Sequence, residues 1–198
     1  MLLNVAHQPG LPRFKKTKGG GLRCYPTPRD LGDVELVVLH QWGAQASLTL
    51  APGETLEECA IRRARSVPYH LSVFAGSLVV WAWCLTISSW ASNGFNRTSI
   101  AIGVGGRFPE LEQLRLSTHS QVAAFEAGLV EALAAVAELL PGRTIVTHCQ
   151  SSRARRADPG EALARIAARE APRLGLRVDY SRTLGTGAAC PASWSLTT

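Results

Sequence analysis

The chain of 198 residues has no uninterrupted apolar run of the roughly eighteen residues that a membrane-spanning helix requires. Its longest apolar stretch, Leu71 to Leu85, is broken by Ser72, Gly76 and Ser77 and carries Trp81 and Trp83, so it reads as paired strands. The opening MLLNVAHQPGLPRFKKTKGGG sets its apolar residues ahead of its lysines, the reverse of a secretory signal, so export by that route is not expected. The 5 cysteines are scattered and odd in number, with no C-x-x-C pair. This argues against a disulfide framework or a zinc ribbon and leaves most of them as small buried apolar residues. The segment Gly103-Val104-Gly105-Gly106 lacks the G-x-G-x-x-G order ahead of a helix, so no dinucleotide site is inferred. There is no internal repeat and no interior linker.

Charged residues are few, at 18%, but basic ones outnumber acidic ones 21 to 15 and give a net charge of +6. Such a balance favours a polyanionic partner: nucleic acid, a membrane surface or an anionic wall polymer. The basic residues do not interleave with aromatics along any segment, as a nucleic-acid stacking platform would. A nucleic-acid reading therefore ranks below the others, and steep loss of affinity with salt would be its signature.

With 46% hydrophobic residues, the chain has the length and composition for one domain with a sizeable core. Residues 1–32, rich in Pro, Gly and Lys, read as an irregular N-terminal extension. VELVVLH (34–40) is a β-branched run expected to form a buried strand ending at His40. GETLEECAIRRARS (53–66) has a helical pattern, with Leu56, Cys59, Ala60 and Arg63 on one side, and stops before Pro68. YHLSVFAGSLVVWAWCL (69–85) predicts a hairpin turning at Ala75-Gly76, and TSIAIGVGG (98–106) another buried strand. STHSQVAAFEAGLVEALAAVAELL (117–140) predicts a long helix opened by a Thr118/Gln121 capping box and stopped by Pro141-Gly142. RTIVTH (143–148) predicts a third strand ending in a histidine, and PGEALARIAAREAPRLG (159–175) a last helix. This order implies an α/β fold: a single domain over 33–180 with a central mixed β-sheet flanked by helices, and a tail over 181–198.

His40 and His148 each end an apolar strand, and the carboxyl ends of strands are where ligands gather in α/β sheets. Asp158 follows His148 by ten residues, near enough for the loop between to return to the same place. Two histidines and a carboxylate are a suitable donor set for zinc. Locally, Asp158-Pro159-Gly160-Glu161 is equally a helix N-cap, a proline at the first helical position and a glutamate completing a capping box. Spacing alone leaves both roles open and leans toward the cap.

In order and spacing, VVLHQWGA, VPYHLSVFAG, NRTSIAIGVGG and IVTHCQSSRARRADPG resemble the motif blocks of the zinc-dependent N-acetylmuramoyl-L-alanine amidases. That superfamily includes phage lysozyme-type amidases and peptidoglycan recognition proteins, and the resemblance spans about residues 34–175. It implies that His40, His148 and Asp158 bind zinc, the third ligand being Asp or Cys in this family. Cys149, as the strand neighbour of His148, is expected to face the other way. The resemblance also implies a catalytic Tyr69 beside the zinc and places Arg156 where relatives often carry Lys. Gln41, Trp42 and Asn96 are candidate groove residues for substrate, while His70 and His119 read as structural. Gly103 stands where the Asp-bearing branch usually has a glutamate, and SSWASNGFN lacks the histidine that many members carry before the asparagine.

The activity implied is hydrolysis of the amide between N-acetylmuramic acid and L-alanine of peptidoglycan, by a phage endolysin or virion-associated wall hydrolase with affinity for anionic wall polymers. Such a protein is made in the cytoplasm and acts at the bacterial wall. The alternative, given Gly103 and Arg156, is a non-catalytic peptidoglycan-binding module on the same fold.

Overall fold

Alternation of apolar side chains along short β-branched runs gives strands with two usable faces, and here two helices cover one face while a third helix and the site share the other. The computed structural model describes residues 1–6, 27–42, 48–92, 94–106 and 119–195, without the side chains of 119–122 and 124. The strands are β1 (Leu2–Asn4), β2 (Thr27–Pro28), β3 (Leu36–Gln41), β4 (Leu71–Phe74), β5 (Leu78–Trp81), β6 (Ile87–Ser88), β7 (Ser99–Val104), β8 (Thr144–Thr147) and β9 (Arg177–Val178). The helices are α1 (Leu56–Ala64), α2 (His119–Leu139), the single turn α3 (His148–Ser151) and α4 (Glu161–Glu170).

Seven strands form one sheet in the order β1-β5-β4-β7-β3-β8-β9, and β2 pairs with β6 separately. The β4–β5 hairpin is antiparallel and every other pair in the large sheet is parallel, so the sheet is mixed and mostly parallel. The hairpin turns at Gly76, whose φ of 75° lies in the left-handed region that glycine enters without a steric penalty. Residues 2–4, read from sequence as part of an irregular extension, pair with β5 as the edge of the sheet. Arg29 is buried beyond them and donates to the carbonyls of Leu85, Asn96, Arg97 and Ser99, so its segment is fastened to the loop that precedes β7.

Period two sorts β3 cleanly. Val37 and Leu39 join Ile100, Ile102 and Ile145 under Leu129, Leu133 and Val136 of α2 and Leu163, Ile166 and Ala167 of α4. Leu36 and Val38 point the other way, to Val146, Leu184 and Phe95, and His40 shares their parity. The β4–β5 hairpin packs Phe74, Leu78 and Val80 against Ala60 and Ala64 of α1. That helix is opened by a Thr55–Glu58 capping box, and Leu56 is exposed while Cys59 and Ala60 are buried. The Thr118/Gln121 box expected for α2 lies outside the described side chains, as does the side chain of His119. Among the described residues no helix is long and apolar enough to cross a membrane.

Candidate metal centre

β3 and β8 lie side by side in parallel register, Leu39 opposite Thr147. The next residue of each strand line is a histidine, so adjacency of His40 and His148 follows from register. His40 lies wholly inside, and His148 and Asp158 are also buried. His40 Nδ1 lies 3.0 Å from His148 Nδ1, and His148 Nδ1 lies 2.9 Å from Asp158 Oδ2. The donor atoms of all three residues fall within 4.8 Å of one another, a grouping able to hold a metal ion. Zinc–nitrogen and zinc–oxygen bonds of about 2.0–2.2 Å at tetrahedral angles place ligand atoms roughly 3.3 Å apart, close to these separations. Burial first, then the electrostatic influence of the neighbouring His148, Arg155 and His70, pushes the pKa of His40 well below its ordinary value. Its ring is therefore neutral at neutral pH, with a lone pair free for a metal.

Of the two local readings of Asp158, the cap does not form. Helix α4 begins at Glu161 with Gly160 as N-cap and no side-chain cap bond, so the capping box expected from Asp158 does not form. Its carboxylate is engaged elsewhere: Oδ1 accepts from the Gln41 backbone N–H at 2.8 Å and Oδ2 faces His148. Gln41 Nε2 also donates to Ala157 O at 2.8 Å, so the side chain expected in a groove also braces the Asp158 loop. His148 does not end a strand but starts α3, where successive side chains turn by about 100° rather than 180°. Cys149 nonetheless points away from the cluster, its Sγ 3.0 Å from Thr147 Oγ1.

One wall of the centre is aromatic. The Tyr69 ring lies 5.0 Å from that of His40, and Trp42 stacks on Tyr69 at 5.5 Å with planes 22° apart. Both rings lie over Gly103, where a Cβ would collide with Trp42 Nε1 and Tyr69 Cδ2 and stand 2.6 Å from Tyr69 Cγ. The space of the family's glutamate is thus filled by two rings. Trp42 Nε1 is buried without a hydrogen-bond partner. Burial first, then the charge of Asp158, raises the Tyr69 pKa above its ordinary value, so the phenol keeps its proton at neutral pH.

Arg156 is exposed on the turn leading to Asp158, and the guanidinium whose charge reaches both His40 and Tyr69 is that of its neighbour Arg155. A run of arginines marks the turn but gives no sequence signal for which one's charge reaches the cluster. Asn96 turns its Oδ1 to the Ser92 N–H at 2.7 Å, and Ser92 Oγ lies 3.4 Å from His40 Nε2. Ser92 carries no sequence signal at all. His70 is structural: Nδ1 accepts from Ala101 N–H at 3.0 Å and Nε2 lies 2.8 Å from Ile87 O.

A family model for N-acetylmuramoyl-L-alanine amidase matches residues 30–161. Among solved structures, the chain is similar to the Ph2119 endolysin from Thermus scotoductus MAT2119 bacteriophage Ph2119, at 18% identity and a TM-score of 0.50, over 81% of this chain and 92% of that one. It is similar to the ectodomain complex of peptidoglycan recognition proteins LCa and LCx with bound tracheal cytotoxin, at 20% identity and a TM-score of 0.56, over 84% and 93%. Human PGRP-IBETAC in complex with glycosamyl muramyl pentapeptide matches at 16% identity and a TM-score of 0.52, over 75% and 90%. At these identities the structural likeness speaks for the fold. No curated protein matches the chain.

Proposed function

Because the chain belongs to the N-acetylmuramoyl-L-alanine amidase family, we propose that it is a zinc-dependent hydrolase that cuts the amide between N-acetylmuramic acid and L-alanine of the stem peptide. The observation that carries this reading is the convergence of His40 Nδ1, His148 Nδ1 and Asp158 Oδ2 at the ends of two adjacent parallel strands. These three residues would hold the zinc. Bound there, zinc supplies a Lewis acid that polarises the scissile carbonyl and lowers the pKa of its water to about 7.

The chain's own groups account for the rest. Tyr69, kept protonated by burial, donates its O–H toward the oxyanion that develops on the substrate carbonyl. The Arg155–Arg156 pair supplies positive charge to the same region, Arg155 acting on His40 and Tyr69 and Arg156 standing exposed at the mouth. An arginine stabilises negative charge without releasing a proton. Gln41 fixes the Asp158 carboxylate, and Asn96 holds the Ser92 loop. Trp42 and Asn96 would line the substrate side.

The proposed setting is the bacterial wall, reached by a phage endolysin or virion-associated hydrolase made in the cytoplasm. The fold shared with a phage endolysin agrees with it, and the net charge of +6 favours contact with anionic wall polymers. The test is purified protein on muropeptides, with metal analysis and the variants His148→Ala and Tyr69→Phe. Expected are one zinc per chain, release of free stem peptide, loss of zinc in His148→Ala, and a kcat about a hundredfold lower with zinc retained in Tyr69→Phe. Zinc-loaded protein that binds muropeptide and releases no peptide would make the chain a binding module instead.

A further inference from the structure

The C-terminal run from Asp179 to Cys190 takes no part in the proposed chemistry, yet it is bound closely to the turn that carries His148. Leu184 N–H donates to Gln150 O at 2.8 Å and Ala188 N–H to Cys149 O at 3.1 Å. Gln150 Nε2 reaches back to the carbonyls of Asp179 and Arg182, each at 2.8 Å. At Gly187 the two backbones approach so nearly that a Cβ would collide with the Gln150 carbonyl. The run ends by setting Cys190 Sγ 3.5 Å from Cys149 Sγ, and Thr147 Oγ1 is 3.0 Å from each sulfur. Two free thiols in van der Waals contact, joined by backbone bonds on either side, need only small side-chain rotations to reach bonding distance.

We propose that Cys149 and Cys190 form a dithiol that closes to an intramolecular disulfide on meeting a small-molecule disulfide, fastening the C-terminal run to the turn that bears His148. Cys149 is 4% exposed whereas Cys190 is half-buried, so access sets the order. The Cys190 sulfur attacks one sulfur of the small disulfide, breaking its S–S bond and releasing one thiol. The Cys149 sulfur then attacks Cys190 Sγ in the mixed disulfide and releases the second thiol. The two protein thiols lose two protons and two electrons, and the small disulfide is reduced to two thiols. Asp158 and helix α4 lie inside the loop so closed. A loop joining residues 41 apart removes enough denatured-state entropy to raise Tm by roughly 10 °C in a chain of this size. The described cysteines are all free thiols; this pair is a conditional bond, and it stands independently of the zinc reading.

The experiment treats the full chain with oxidised glutathione, blocks remaining thiols with N-ethylmaleimide under denaturing conditions, and maps unreduced tryptic peptides by mass. Expected is a disulfide between TIVTHCQSSR (144–153) and TLGTGAACPASWSLTT (183–198). The Tm of the oxidised protein should exceed that of the reduced one by roughly 10 °C. Cys190→Ser should abolish both the link and the oxidation-dependent shift while keeping the Tm of the reduced protein. Maleimide on both cysteines overturns the proposal, as does glutathione stranded on Cys190, a Cys149 link to another cysteine, or a link that leaves Tm unchanged. None of these readouts depends on amidase activity.

Discussion

Gly103→Ala adds one methyl group to the sheet directly below the Trp42–Tyr69 stack, and its effect can be worked out from the geometry. The new Cβ would collide with Tyr69 Cδ2 and stand 2.6 Å from Tyr69 Cγ, and ordinary contact begins at 3.4 Å, so the ring must move by about 1 Å while Trp42 also gives way. Gly103 is paired with His40 on one side and Ser72 on the other, so the backbone of β7 has little room to retreat. Overpacking of a filled space costs about 1–3 kcal/mol, a fall in Tm of roughly 5 °C for a chain of this length. Displacement of a positioned catalytic group by about 1 Å is enough for a loss near a hundredfold in rate. Zinc content should be unchanged, because the atoms nearest the added methyl belong to Trp42 and Tyr69 and to none of the candidate ligands. The assay is peptide release from muropeptides, with Tm and metal analysis on the same preparation. Trp42→Ala opens space into which Tyr69 can slide, so the double variant should lose less stability than the two single changes added together. A Gly103→Ala protein with the parent's rate and Tm would refute the reasoning.

Other perturbations follow from buried groups near the site. Burial, then the charge of Arg29, lowers the His70 pKa to about 3 from 6.5, so the folded state refuses a proton that the unfolded chain binds. Stability from His70 is thus complete above pH 6.5 and declines as pH falls toward 3, by up to about 1.4 kcal/mol per unit. Urea denaturation from pH 7 to 4 should show a steeper loss for the parent than for His70→Gln; equal slopes would contradict this. Arg29→Ala strips donors from four buried or half-buried carbonyls and should lower stability by about 3 kcal/mol, seen as a fall in Tm of roughly 10 °C. Gln41→Ala frees the Ala157 carbonyl and loosens the Asp158 loop; zinc affinity, measured by chelator competition, should fall about tenfold with the fold intact.

What sequence could reach depended on whether the signal was local. The β-branched run before His40 and the one before His148 predict strands, and parallel pairing of these strands, with His40 near the end of one and His148 just past the end of the other, brings the two histidines together. The helices and the Ala75–Gly76 turn were legible for the same reason: period and turn chemistry act within a few residues. Asp158 was ambiguous because a cap and a ligand ask for the same residue before Pro-Gly, and the contact that draws its carboxylate away from the cap comes from the Gln41 N–H, 117 positions away. Arg155 and Arg156 are exposed neighbours in a basic run, and the fold alone determines that the charge of Arg155 reaches His40 and Tyr69. The contact between the C-terminal run and Cys149 joins segments with no shared pattern at all.

Gly103 gives the sharpest case. As a departure from the family pattern it reads as a lost glutamate, and so as a weakness in the catalytic reading. The sheet order β4-β7-β3 gives it another meaning, because Gly103 sits beside His40 on one strand and below Tyr69, which leads into the other. Any side chain on that face would have to share space with the two rings, so the glycine and the Trp42–Tyr69 stack require one another. A glutamate there would displace the tyrosine whose ring lies 5.0 Å from that of His40. Carboxylate and phenol are therefore alternative occupants of one space, and a chain that places Tyr69 against His40 needs glycine at 103.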